Sequence, residues 1–288
     1  MSGRRIVVTG ATGLLGRRLV ALLASEGDEV FAVSRSGTEA WPAGVRGIAA
    51  DLSAPFAGSL YPEHLDGVVY LAQSPQFRSF PEGAGDMHKV NVAQPLALLD
   101  HALRGGASHF VYASTGSVYA PSQAPLSEDS PLGGSGFYPA SKQAAEQLIS
   151  PFRSELTVAL LRYFFIYGRG QKVDMLIPRL VASVREGRAV KLQGAGGLRF
   201  NPVQVDDAAR ATAAALTLDA SAAINVAGPQ ALSLQEACET IGDLVGREAT
   251  FEHDEAAQTP SLLANIEIMS ALLSSPTFSF REGVRQLI

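Results

Sequence analysis

The chain has 288 residues, 47% hydrophobic and 18% charged, with a formal net charge of −5. That length allows one large or two small domains with a full core, and the acidic balance argues against nucleic acid as the main partner, which needs a basic face. One cysteine, Cys238, excludes an internal disulfide framework and a cysteine zinc site; with no apolar run of membrane-spanning length and no signal-peptide pattern, the expectation is a cytoplasmic globular protein with no membrane partner.

The first element is an apolar run, Ile6-Val7-Val8, that suits a buried parallel strand. Gly10, Gly13 and Gly16 follow at three-residue spacing, and Leu14, Leu15, Leu19, Val20 and Leu23 then set an apolar stripe at helical spacing. Strand, glycine turn and helix together open a dinucleotide-binding βαβ unit. The glycines let the chain turn and approach a pyrophosphate, which sits on the helix N-terminus, so Gly10, Thr12, Gly13, Leu14, Leu15 and Gly16 are the expected phosphate cradle. Glu29–Val33 reads as the second strand, followed by Ser34-Arg35-Ser36 where an acid would receive the ribose of NAD. A 2′-phosphate would find Arg35 and the Ser34 hydroxyl there, which favours NADP; NAD is the alternative, with Arg35 stacked on adenine or facing water.

Gly47–Leu52 reads as the third strand, ending in Asp51-Leu52, and Gly67–Ala72 as the fourth. Loops at strand C-termini carry ligands in open α/β sheets, so Gln73, Ser74 and Phe77 are candidates to touch substrate. Residues 86–104 form a helical pattern; His88 and His101 lie on it without a metal partner at useful spacing, and no metal is expected. Ser108–Tyr112 is the fifth strand, leading into Ala113-Ser-Thr-Gly-Ser-Val-Tyr119. Tyr138 and Lys142 then fall on one helix face, where the ammonium is expected to lower the phenol pKa. Thr157–Arg162 is a sixth strand. Beyond Met175 come an amphipathic helix, a short strand, a helix with Asp206 and Asp207 as expected N-cap residues, and a helix that buries Cys238.

TGATGLLG, STGSVY after a later strand, and YPASK in that order resemble the extended short-chain dehydrogenase/reductase family, the NAD-dependent epimerase/dehydratase group, and the resemblance runs through essentially the whole chain. It implies a doubly wound parallel sheet of Rossmann type over residues 1–170. A smaller, interleaved substrate-binding α/β region follows over 171–288. It implies that Asp51 meets the adenine amino group and Leu52 packs on the ring, and that Leu71, Ala72 and Gln73 lie against ribose and pyrophosphate. Asn91 is expected to brace the site from the cofactor side. Thr115 would orient the reacting oxygen, Tyr138 act as general acid/base, and Lys142 tune the tyrosine and bind the nicotinamide ribose. The 4,6-dehydratases of the family carry an Asp-Glu pair where this chain has Gly116 and Ser117, so dehydration is discounted. Phe165 replaces an asparagine that contacts nucleotide-sugar diphosphates, Arg169 replaces a proline, and Arg199 matches an arginine that faces substrate phosphate. Many relatives dimerise, so a homodimer is possible.

The function these residues point to is NAD(P)-dependent hydride transfer on a small-molecule substrate, a sugar that is nucleotide-linked, by an epimerase or oxidoreductase. The alternatives are an NADPH-dependent reductase of a small non-nucleotide carbonyl, which Phe165 favours, and a catalytically silent cofactor-binding sensor.

Overall fold

The computed structural model describes residues 3–254, 256–257 and 261–288. In chain order β1 (Arg5–Thr9), α1 (Leu14–Ser25), β2 (Glu29–Ser34), β3 (Val45–Ala49) and β4 (Gly67–Tyr70) come first. They are followed by a long helix in two α segments, α2 (Ala84–His88) and α3 (Gln94–Arg104), then β5 (His109–Thr115), α4 (Phe137–Ile149) and β6 (Thr157–Tyr163). The remainder is β7 (Ile166–Tyr167), α5 (Leu176–Glu186), β8 (Val190–Gln193), β9 (Arg199–Phe200), β10 (Val203–Gln204), α6 (Val205–Ala214), β11 (Ala222–Val226), β12 (Leu232–Ser233), α7 (Leu234–Val245), β13 (Phe251–Asp254), α8 (Glu267–Leu272) and α9 (Phe280–Arg285).

Seven parallel strands form the central sheet in the order β11-β6-β5-β4-β1-β2-β3. Alternation along each strand sends neighbours to opposite faces. Ile6 and Val8 pack with Leu19, Val20 and Ala209 on the α1/α6 side, whereas Val7 packs with Leu98, Leu99, Ala145 and Ile149 on the α3/α4 side. Strand order reverses between β1 and β4, and the crevice at such a reversal is where open α/β sheets bind ligands. A third cluster, with Tyr167, Leu180, Leu192, Phe200, Ile241 and Phe280, is the core of the C-terminal region. That region is not separable by a cut at residue 170: β11 pairs with β6 in the central sheet and α6 lies against α1.

Several boundaries differ from the sequence expectation, each for a local reason. β3 stops at Ala49 because Ala50 N makes a last bond to Ser34 O (2.8 Å) and Asp51 then accepts from Ser53 N (2.9 Å), curling the chain. β4 stops at Tyr70, and Ala72 N turns to the Thr9 hydroxyl (3.1 Å). β5 runs on to Thr115, which makes Ser114 and Thr115 strand residues. Between α2 and α3, residues Lys89–Ala93 form a π turn. Pro95 has no N–H to give the Asn91 carbonyl four residues back; the Tyr112 hydroxyl donates to it instead (2.8 Å), and the Tyr70 hydroxyl donates to Val90 O (2.6 Å). Asp206 and Asp207 are not the N-caps of α6. Gln204 is, its side chain accepting from Asp206 N, while buried Asp207 accepts from Thr277 N (2.9 Å) and Phe278 N (3.0 Å) and so clamps the C-terminal segment onto α6.

Candidate active site

The turn from β1 to α1 depends on two close approaches. Gly10 has φ +64° and a Cβ there would lie 2.9 Å from Ala72 N; a Cβ on Gly16 would lie 2.2 Å from Gly10 O. Any side chain at either position pushes backbone apart. Gly13, the N-cap residue, is different: its Cβ would meet Gly10 O at 3.1 Å and otherwise open space. Among the described residues no side chain caps α1, so its first N–H groups and positive dipole end face the crevice, as an anion-binding turn requires. These features fit a dinucleotide's pyrophosphate.

Gly10, Gly13, Leu14, Leu15, Gly16, Leu71, Gln73, Phe77, Thr115, Tyr138, Lys142 and Phe165 line one cleft of about 370 Å³, so most of the expected site residues converge. The Tyr138 hydroxyl donates to Gln73 Oε1 (2.9 Å), and Phe77 packs on the Tyr138 ring with centroids 5.6 Å apart. Thr115 Oγ1 accepts from Ser117 N (3.2 Å), which fixes the rotamer and leaves the hydroxyl proton to be donated. Lys142 is buried; its Nζ donates to Ala113 O (2.7 Å) and lies 4.8 Å from the Tyr112 ring centre.

Tyr138 and Lys142 both line the cleft, and the Tyr138 phenol is shifted here by burial and by Thr115. Burial dominates both groups: it pushes the Tyr138 phenol up to about 12 against the pull of the Thr115 hydroxyl, and it lowers Lys142 to about 7 against the Glu146 carboxylate. Burial thus makes the Tyr138 phenol a weaker acid than a free tyrosine. Glu146, one turn beyond Lys142, accepts from the Ser114 hydroxyl and forms a two-point ion pair with Arg162 (2.7 and 3.1 Å). Arg162 also donates to the Tyr119 hydroxyl (2.8 Å), which donates to Asn225 Oδ1 (2.7 Å), so a buried polar chain runs from the Thr115 strand end to β11. None of this network was visible as a motif.

Asn91 stands where a bracing residue is expected, and Ser74 is tied to it. Ser74 is 1% exposed; its N–H donates to Asn91 Oδ1 (3.0 Å) and its hydroxyl to Asp86, so it does not face substrate. Asn91 lies outside the cleft lining and links Ser74 to the Ser141 hydroxyl (3.0 Å), locking the loop after β4 to the residue before Lys142. Ala72 is buried beneath the turn, and Thr12 contributes its carbonyl to Arg17 Nε (3.1 Å). Asp51 and Leu52 line a separate cleft of about 130 Å³ beside β3. At the end of β2 the Ser34 hydroxyl is taken by a carboxylate absent from the sequence expectation: it donates to Glu39 (2.7 Å), as does Ser36 (2.7 Å). Arg35 is exposed, and its charge acts on Asp51.

The substrate side is more apolar than the sequence suggests. Phe77, Phe165, Ile166, Met175, Leu176 and Ile177 form its walls, while Arg169 and Arg199 are exposed and stand outside the lining. Phe165 has φ +46°, a left-handed conformation that favours asparagine over a bulky residue, and packs edge-on against Phe200 at 5.2 Å. A cation the sequence did not single out stands at the rim. The Arg78 guanidinium lies 4.9 Å from the Phe77 ring centre and pairs with exposed Asp174 (3.4 Å), next to Met175.

The profile of the NAD dependent epimerase/dehydratase family matches residues 6–227. The chain is 29% identical over 234 residues to a UDP-glucuronate 4-epimerase of Thermodesulfobacterium geofontis, covering 78% of this chain and 72% of that one. It is 31% identical over 216 residues to a 2-alkyl-3-oxoalkanoate reductase of Stenotrophomonas maltophilia, covering 72% and 63%. Its fold superposes on that of MoeE5 in complex with UDP-glucuronic acid and NAD with a TM-score of 0.83 at 28% identity, over 98% of this chain and 97% of that one.

Proposed function

The chain belongs to the NAD dependent epimerase/dehydratase family, as an enzyme of the extended short-chain dehydrogenase/reductase type, and from that premise we propose that it transfers hydride at a carbinol carbon of a nucleotide-linked sugar and returns it, as an epimerase does. The observation that carries the reading is the convergence of Thr115, Tyr138 and Lys142 with the glycine turn on one cleft. A nicotinamide dinucleotide held on that turn supplies the hydride acceptor and donor.

The protein's own groups do the rest. Thr115 donates its hydroxyl proton to the reacting oxygen and orients it. Tyr138 exchanges the carbinol proton: its phenol hydrogen-bonds the reacting oxygen, and the positive charge of Lys142 lowers the cost of the phenolate when the proton moves. Phe77 and Gln73 hold the phenol in place. Arg78, exposed at the rim beside Phe77 and Met175, is the group we assign to a substrate phosphate alongside Arg169 and Arg199, exchanging its long contact with Asp174 for a guanidinium fork on the anion.

A second reading is supported by the apolar wall of Phe165, Ile166, Met175, Leu176 and Ile177: net reduction of a non-nucleotide carbonyl, as in the reductase relative. Assays with UDP-, GDP- and dTDP-linked hexoses distinguish the two. Interconversion of sugars without net cofactor consumption, with competitive inhibition by nucleoside diphosphates that weakens in Arg78→Ala, supports the first. Stoichiometric oxidation of reduced cofactor by alkyl ketones, with no nucleoside diphosphate binding at millimolar concentration, replaces it with the second.

A further inference from the structure

Resting on the reading that this chain binds a nicotinamide dinucleotide, we propose that Glu39 is its specificity-determining residue, admitting the adenosine ribose of NAD and excluding the 2′-phosphate of NADP. The sequence has no acid at the end of β2, where Ser34 stands, and Arg35 next to it invites the opposite choice. Folding supplies the missing acid from five residues on. Ser34 ends β2 between the turn after β1 and the start of the loop after β3: Ala11 N donates to Val33 O (3.3 Å) on one side, and Ala50 N to Ser34 O (2.8 Å) on the other. This is the rim of the crevice that begins at the glycine turn. Gly37, at φ +67°, folds the chain back, and Gly37 N donates to the Ser34 hydroxyl (2.9 Å), bringing Glu39 over the strand end.

The carboxylate then takes one hydroxyl on each oxygen, Ser34 on Oε2 and Ser36 on Oε1, both at 2.7 Å. Both hydroxyls that a 2′-phosphate would have used as donors are spent on an anion. Glu39 is held below the usual carboxylate range, first by Ser36 and then by Ser34, so it is ionised throughout the neutral range. A carboxylate with occupied donors accepts further hydrogen bonds from ribose hydroxyls and repels a phosphate dianion.

The cations nearby do not reverse this. Arg17 is tied to Thr12 O (3.1 Å) and lies 5.9 Å from the Trp41 ring centre, with its charge lowering the Glu39 pKa. The charge of Arg35 acts on Asp51, on the β3 side.

Equilibrium titration of NAD+ and NADP+ against the wild-type protein, Glu39→Gln and Arg35→Ala, followed by calorimetry, tests the inference without reference to turnover. The expected result is NAD+ binding at least about tenfold tighter than NADP+ in the wild type, a ratio that Glu39→Gln shrinks by about tenfold and Arg35→Ala leaves within about threefold; tenfold is the scale of one charged hydrogen bond. Glutamine keeps the shape and one acceptor, and an unchanged melting temperature confirms the fold. Equal or tighter NADP+ binding in the wild type, or a ratio that moves with Arg35 and not with Glu39, overturns it. Failure of either cofactor to bind any of the three proteins overturns the inference together with the dinucleotide reading beneath it.

Discussion

Replacing Arg162 by methionine should cost stability out of proportion to the size of the change. The Arg162 and Glu146 side chains are 6% and 5% exposed and meet at 2.7 Å. Two unit charges about 3 Å apart attract by roughly 5 kcal/mol at an effective dielectric of about 20. Arg162→Met leaves the Glu146 carboxylate buried with the Ser114 hydroxyl and the field of Lys142 as its remaining partners, and breaking a buried pair in this way costs about 3–5 kcal/mol. For a chain of this size an unfolding entropy of about 2 cal/mol/K per residue gives roughly 0.6 kcal/mol/K, so a loss of about 4 kcal/mol lowers the melting temperature by about 7 °C. Because desolvation offsets the attraction, Glu146→Leu combined with Arg162→Met should lose less than Arg162→Met alone. The assay is a double-mutant cycle by denaturant unfolding. A single-variant loss below about 1 kcal/mol, or a double variant equal to the sum of the singles, would refute the buried-pair argument.

Gly13→Ala and Gly16→Ala should separate ligand space from packing. Gly16→Ala forces Cβ to 2.2 Å from Gly10 O and loses about 1–3 kcal/mol of stability, whereas Gly13→Ala keeps the melting temperature and loses dinucleotide affinity in a titration. Phe165→Asn should change stability by less than about 1 kcal/mol, since relief of the φ +46° strain offsets the lost contact with Phe200; a nucleoside diphosphate titration should show tighter binding than in the wild type. Tyr61, stacked on Phe56 at 5.3 Å, has its phenol raised by burial to about 12. The folded protein keeps that proton while the unfolded chain releases it from about pH 10, so stability present below pH ~10 is lost as pH rises towards ~12, by about 3 kcal/mol for this group. Tyr61→Phe should escape that loss, read as the difference in unfolding free energy between the two proteins across that range.

What the sequence made legible was local. The glycine turn, and Tyr138 with Lys142 on one helix face, are spacings within a few residues, and they survive folding because each is set by one backbone element. The π turn at Asn91 was written in Pro95, whose missing N–H frees the carbonyl that Tyr112 takes, but a periodicity reading runs straight through it. Glu39 was missed because it lies in an irregular segment with no period, and its meaning comes only from the fold that brings it over Ser34. Arg169 and Arg199 are exposed and lie outside the cleft lining; which way a side chain leaves a short loop or a two-residue strand is decided by distant packing that no motif records.

In the proposed mechanism Tyr138 moves a proton at a cofactor-bearing redox site and does not serve to hold that cofactor. Wild-type protein and Tyr138→Phe are each titrated with dinucleotide and then mixed rapidly with the nucleotide-sugar panel while the nicotinamide absorbance is followed. Equal dinucleotide affinity is expected for the two proteins, with an absorbance change for at least one sugar in the wild type and a change slower by on the order of 10²–10⁴ in the variant. A variant as fast as the wild type, or one that loses the dinucleotide along with the rate, would contradict it.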